Sequence, residues 1–205
     1  ASVTIPLTDG SLSMTLNHIV KLILAIFIGL LIFRVSLSTW KKIDISLIIF
    51  SFFLLTLVFF PLIGFEANGA SRWIRILGFS FQPSELMKFS LIIYISSYCF
   101  RRMTEFKEKW LGFWKPVLVV ISAIALVLVE PDLGSSAVIF LISLTIVFIA
   151  GAPLKQMLII FFMGLSVFIS MILLVPWRMN RILSFVDPWS NYGESGYQLS
   201  QALIA

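Results

Sequence analysis

Six apolar stretches, most of them near twenty residues long, decide what this chain can fold into. They occupy residues 18–37 (HIVKLILAIFIGLLIFRVSL), 45–64 (ISLIIFSFFLLTLVFFPLIG), 83–100, 116–130 (PVLVVISAIALVLVE), 135–150 and 157–176. About 20 mainly apolar residues in a helix cross the hydrocarbon core of a bilayer. Within that core each backbone polar group must be bonded inside the protein, which favours helices. A barrel strand would alternate apolar and polar residues, whereas these runs are continuous. Composition agrees: 60% of residues are hydrophobic, 12% are charged, and the mean hydropathy is +1.04. Soluble domains average about 25% charged residues. The expected fold is an all-α integral membrane protein, a polytopic transmembrane helix bundle with about six spanning helices. Residues 1–205 form a single, partial transmembrane domain, with no soluble domain and no low-complexity tract; residues 1–16, polar and small, are expected as a loop, and Thr39–Asp44 (TWKKID) as a short basic turn.

The same numbers narrow the function classes. The net charge of +5 matches cytoplasmic Lys/Arg and contact with anionic membrane lipid. No basic arm or basic soluble face is present, so nucleic acid is not an expected partner. Cys99 is the single cysteine, which excludes an internal disulfide, and His18 is the single histidine, which excludes a multi-histidine metal site. The chain begins with Ala1 and stops within the apolar ALIA. It is therefore expected to be a piece of a longer protein.

Lys and Arg placement orients the bundle. With the six stretches alternating, Arg34, Lys41, Lys42, Arg101, Arg102, Lys107, Lys109, Lys115 and Lys155 fall on one side. Lys21, Arg72, Arg75, Lys88, Arg178 and Arg181 fall on the other. The first side is expected to be cytoplasmic. Three polar loops, near 65–85, 130–134 and 177–204, then share the outer face. The four outer arginines run against the usual bias, which suggests an anionic ligand there.

The polar residues of these loops are specific. Asn68–Trp73 (NGASRW) joins a turn dipeptide to Arg72, whose planar guanidinium suits a phosphate. The plainer alternative is a hairpin with an interfacial Trp73 and a headgroup-binding Arg72. Gln82–Lys88 (QPSELMK) opens a helix, with Pro83 at its first position and Glu85 in its first turn. A helix start is a ready anion site. Glu85 and Lys88 are three apart on one face, either lining a cavity or forming a local ion pair. Glu130-Pro131-Asp132-Leu133-Gly134 puts two carboxylates in one tight turn. They could accept sugar hydroxyls, hold a metal or act as a base, or Asp132 could simply cap the next helix. Arg178 and Arg181 would share a helical face able to grip a pyrophosphate, or would be ordinary interfacial basic residues.

Five motifs together, NGASRWI, FQPSELMK, EPDLGSS, RILSFVDPW and GYQLSQALIA, resemble the SEDS family, the FtsW, RodA and SpoVE proteins. The order and spacing match, and the resemblance covers essentially the whole chain. DPW with GYQLSQALIA resembles the division members more than the elongation members. The resemblance implies a multi-pass protein of the bacterial inner (cytoplasmic) membrane, expected at the division septum. It implies an inverting peptidoglycan glycosyltransferase that polymerises lipid II, an undecaprenyl-diphosphate-linked substrate, into septal glycan strands. Its partners would be a class B penicillin-binding protein transpeptidase and other division proteins. Arg72, Lys88, Arg178 and Arg181 would then be cations for the diphosphate, with Gln82, Glu85 and Asp132 positioning sugar or the cations. A divalent cation, Mg or Mn, fits beside the diphosphate, but no metal ligand is assigned. The family's presumed catalytic aspartate falls in a motif beyond Ala205, so the catalytic residue is unassigned and these 205 residues alone are expected to be inactive. Two rival readings are a lipid II flippase and a divisome scaffold recruiting the transpeptidase. The spanning stretches offer only small hydroxyls as a polar path, which ranks the flippase second.

Overall fold

The structure, a computed structural model, describes residues 9–60, 64–67, 70–76, 79–176, 178–180, 183 and 203. Along the chain these form α1 (Asp9–Phe33), α2 (Leu37–Leu57), β1 (Gly64–Ala67), β2 (Ala70–Ile76) and β3 (Phe79–Phe81). There follow α3 (Pro83–Arg101), α4 (Met103–Glu108), α5 (Trp110–Val129), α6 (Leu133–Ile149) and α7 (Leu154–Leu173). Each of the six apolar stretches is mainly helical over its described residues, and the protein is an all-α polytopic membrane protein. By length and hydropathy alone, α5 and α7 qualify as bilayer crossings, and α1 with α2 qualify when taken together. α6 is shorter, at 17 residues, and α3 carries Glu85, Lys88 and Arg101.

Two boundaries differ from the sequence expectation. Residues 9–16 belong to α1 rather than to a loop. The basic segment Thr39–Asp44, expected as a turn, lies inside α2. Ser36 is the reason: its hydroxyl caps the helix by accepting from the Thr39 N–H, and its ψ of 146° breaks the preceding helix. The charges downstream are then satisfied sideways. Lys41 Nζ lies 3.7 Å from the centre of the Phe100 ring, and Asp44 pairs with Arg101 at 2.7 Å.

The chain divides into two compact units. One joins residues 1–35 with residues 166–205. In it, the large apolar side chains of α1 from Ile19 to Phe33 are exposed all round the helix, as expected of a helix surrounded by lipid or by other apolar helices.

The other unit, residues 36–165, is organised on α3, which packs against α2, α4, α5, α6 and β2. Its buried side chains Met87, Leu91 and Ile95 meet Leu55 of α2, Phe113, Ala123 and Val127 of α5, and Ile139 of α6. Small polar residues let the helices approach closely. Ser51 of α2 and Ser90 of α3 share a buried hydrogen bond of 2.6 Å. Gly112 is required where α4 doubles back onto α5, because a Cβ there would overlap the backbone carbonyl of Glu105.

Between α2 and α3 lies an element that was expected as a polar loop, with a hairpin at Asn68–Trp73 as the plainer alternative. β1, β2 and β3 form a three-stranded antiparallel sheet in sequence order. Phe65 pairs with Trp73 across β1 and β2, and Arg75 pairs with Ser80 across β2 and β3. The turn dipeptide Asn68-Gly69 lies outside the described residues. Phe65 pairs with Trp73 and Glu66 with Ser71, so Arg72 is the extra residue of a bulge in β2. Beyond the bulge side chains alternate, and Ile74 is buried while Arg75, on the other face, is exposed.

Candidate functional site

The site grows from the α5–α6 turn. α5 ends at Val129, and Glu130 is its C-cap. Asp132 is the N-cap of α6: its carboxylate accepts from the Ser135 N–H at 3.0 Å and from the Ser135 hydroxyl at 2.8 Å. The capping role read from the sequence is therefore present. A third donor also reaches it. Gln82, at the start of α3, makes no side-chain cap for its own helix; its amide Nε2 instead donates to Asp132 Oδ2 at 3.0 Å. Ser84, one residue into α3, points its hydroxyl at that of Ser135, 3.5 Å away.

Arg72 closes the arrangement from the sheet. Its Nε donates to the backbone carbonyl of Glu130 at 3.0 Å and its Nη2 to that of Pro131 at 2.6 Å. These bonds satisfy carbonyls left over at the end of α5 and leave further N–H donors on the guanidinium. Arg72, Gln82 and Asp132, from three separate segments, thus meet at one end of the unit. On α3 itself, Lys88 donates to Glu85 at 2.6 Å; the Lys88 side chain is 17% exposed and that of Glu85 is 58%. The local ion pair is therefore formed, with the ammonium half sunk beneath the carboxylate.

The remaining candidates belong to the other unit or lie outside the described residues. Arg178, in the other unit, donates to the carbonyl of Met171 at 3.1 Å. Arg181 and almost all of the 177–204 loop lie outside the described residues.

Glu130, read from the sequence as one of a carboxylate pair, was given no substrate-binding role there. Its side chain is 1% exposed, and among the described residues neither carboxyl oxygen has a hydrogen-bond partner. Burial pushes its carboxyl up to about 8, with the charge of Asp132 adding to the rise and Arg72 opposing it. Ser84 and Ser135 were missed as well. The available signal was the run of apolar residues leading into Glu130, which argued for burial, and the paired small hydroxyls opposite it.

The geometry offers cations beside polar groups at one end of a lipid-facing bundle. Arg72 is fixed by carbonyls, and Lys88 is held by Glu85. Asp132, saturated by three donors, serves as a structural anchor for the turn.

Comparison with known proteins identifies the family of the chain. The family model described as cell cycle protein, covering FtsW, RodA and SpoVE, matches residues 2–205. A probable peptidoglycan glycosyltransferase FtsW of Aliivibrio salmonicida is 38% identical over 97% of this chain and 49% of its own length. Its counterpart in Saccharophagus degradans is 42% identical over 86% of this chain and 46% of its own length. The chain spans about half the length of the curated relatives it matches. Among solved structures, a peptidoglycan synthase complex, described for its coordination of polymerization and crosslinking, aligns with a TM-score of 0.69. It is 28% identical and covers 91% of this chain and 55% of the other. The rod shape determining protein RodA of Thermus thermophilus aligns with a TM-score of 0.63 at 27% identity, covering 75% of this chain and 48% of the other. The motifs, the helical architecture and these matches agree, and the chain belongs to the FtsW, RodA and SpoVE family of cell cycle proteins.

Proposed function

We propose that the protein containing this chain is a peptidoglycan glycosyltransferase of cell division, and that the Arg72–Gln82–Asp132 junction forms part of its binding surface for lipid II. The supporting observation is the convergence of Arg72, the α3 start and the α5–α6 turn at one end of the unit. In this reading the junction lies at the outer face of the bacterial inner membrane. An acceptor sugar hydroxyl attacks the anomeric carbon of the donor, the carbon–oxygen bond to the diphosphate breaks, and the hydroxyl proton passes to a base not assigned in this chain. Arg72 and Lys88 would stabilise the charge developing on the departing diphosphate. Glu85 would tune Lys88 by holding it, and Asp132 and Gln82 would keep the turn and the α3 start in register. Mg or Mn would meet the diphosphate oxygens directly. Among the described residues no group of three or more His, Cys, Asp or Glu gathers to hold such an ion, and no step here passes through one.

A class B transpeptidase is the proposed partner and the division septum the proposed location. The similarity to a structure titled as a peptidoglycan synthase complex and the FtsW names of the relatives support both. The test is polymerisation of labelled lipid II by the full-length protein with its transpeptidase. Arg72→Ala and Lys88→Ala are each expected to lower turnover by about a hundredfold, the usual effect of removing one charge-stabilising donor. Unchanged polymerisation in both variants would overturn the assignment.

A further inference from the structure

The two carboxyl groups of the α5–α6 turn have opposite surroundings. Asp132 takes three donors, as an ionised carboxylate does. The carboxyl of Glu130 is fully buried and has no hydrogen-bond partner among the described residues. Arg72 lies against this same residue and donates to its backbone carbonyl, not to its carboxyl. A carboxylate is a much stronger acceptor for a guanidinium than a carbonyl is. An arginine that takes the carbonyl therefore marks the neighbouring acid as uncharged. The position reinforces this, since Glu130 caps the C-terminal end of α5, where the helix dipole opposes negative charge.

We propose that Glu130 is a positioning residue that acts in its neutral form. Protonated, it leaves the Arg72 guanidinium seated on the carbonyl oxygens of Glu130 and Pro131; ionised, it draws that guanidinium onto its own carboxylate and away from the ligand. The effect on substrate rests on the reading of Arg72 as a diphosphate-binding group; the coupling between the two side chains does not.

Among the described residues, the charged groups on the elements around the turn are few. Arg72 comes from β2 and Asp132 from the turn itself. Glu85 and Lys88 come from α3 and are tied to each other. α6 contributes the hydroxyls of Ser135 and Ser136, both spent on Asp132, and Arg75 lies on the opposite face of β2. The balance of burial, Asp132 and Arg72 sets the midpoint of Glu130 at about 8, so the change of state falls in mildly alkaline solution.

The experiment uses the full-length protein in lipid nanodiscs, as wild type, Glu130→Gln and Arg72→Ala. Infrared difference spectra against pH are recorded on protein carrying carbon-13 glutamate. The expected result is a glutamic acid carbonyl band that persists at neutral pH, disappears near pH 8 and is absent from Glu130→Gln. In Arg72→Ala the loss of that band moves to higher pH. A band that disappears in the ordinary carboxylate range, or that is unmoved by Arg72→Ala, overturns the coupling, and neither observation needs the Gln variant to fold. With lipid II as substrate, the wild-type KM is expected to rise about tenfold per pH unit above the midpoint, following the neutral fraction, while Glu130→Gln stays flat and kcat changes little. A wild-type rise that persists in Glu130→Gln overturns the positioning role. Polymerisation unaffected by Arg72→Ala, with the infrared shift intact, overturns the diphosphate assignment and leaves the coupling standing.

Discussion

The Gln82 amide donates to the Asp132 carboxylate at 3.0 Å, joining the first residues of α3 to the cap of α6 across 50 positions of sequence. Two helix starts are thereby tied to one another, with Ser84 and Ser135 alongside, and Ser135 supplies the other donors to the same carboxylate.

Asp132→Ala is accordingly expected to cost more than an ordinary cap. Losing an N-cap costs about 1 kcal/mol, and the stranded Gln82 amide and Ser135 hydroxyl add to it, for a total of about 2–4 kcal/mol. Gln82→Ala, which leaves the cap intact, is expected to cost about 1 kcal/mol. Thermal unfolding in detergent would rank the two, and equal losses would contradict the shared-acceptor geometry.

At the other end of α3, Arg101 pairs with Asp44 at 2.7 Å and also donates to Ser97 Oγ at 2.9 Å and to the Lys41 carbonyl at 3.2 Å. Asp44 is 1% exposed. Removing only the arginine leaves a buried carboxyl without its counter-charge, so Arg101→Ala is expected to cost about 3 kcal/mol. The double variant Arg101→Ala with Asp44→Asn is expected to recover part of that loss. A double-mutant cycle on the unfolding midpoint decides it; additive losses would show that the pair is not coupled.

Stability should also fall as pH rises, an unusual sign for a carboxyl group. Unfolded, the Glu130 carboxyl titrates near its ordinary 4.5; folded, it titrates at about 8. Between those values the folded chain holds one more proton than the unfolded chain. Its contribution is complete below the lower value and is lost through the upper one, at about 1.4 kcal/mol per pH unit. Melting temperatures of wild type and Glu130→Gln, followed across this window, should diverge, with the wild type declining more steeply. Parallel curves would place the carboxyl in an ordinary environment.

Glycines offer a paired test of packing. A Cβ at Gly112 would strike the backbone of Glu105 and Phe106, and the Gly112 carbonyl also accepts from the Tyr98 hydroxyl at 2.9 Å. Gly112→Ala is expected to cost about 1–3 kcal/mol. Gly29, inside α1, has nothing near its Cβ position, so Gly29→Ala should be neutral or stabilise by up to about 1 kcal/mol. Expression and thermal unfolding of both variants would check the contrast.

The helices were legible because bilayer thickness and hydropathy leave few alternatives, and the polar starts at Gln82 and Asp132 marked two of their ends. The sheet was not legible, because its strands are short and their alternation is diluted by aromatics such as Trp73 and Phe81. The entry of Lys41, Lys42 and Asp44 into α2 was hidden for a different reason. Charges argue against a helix within an apolar run until a partner such as Arg101, 57 residues away in sequence, is seen to neutralise one of them. At the site, the residue types of Arg72, Gln82 and Asp132 suggested their importance, but their meeting depends on tertiary packing. Glu130 was read only as half of a carboxylate pair, because the apolar run before it argues for burial but does not show that tertiary packing leaves its carboxyl without a partner.

The pairing of β2 carries a consequence for how this segment can vary. Phe65 pairs with Trp73 and Glu66 with Ser71, so Arg72 is the extra residue of a bulge, and from that unpaired position it reaches the α5–α6 turn. Deleting one residue here would let the ladder pair regularly and would withdraw the bulge that aims the guanidinium. Length changes are thus expected to be tolerated beyond the strand ends and rejected between Ser71 and Ile74, so the irregularity in the strand acts as the pointer that the guanidinium follows.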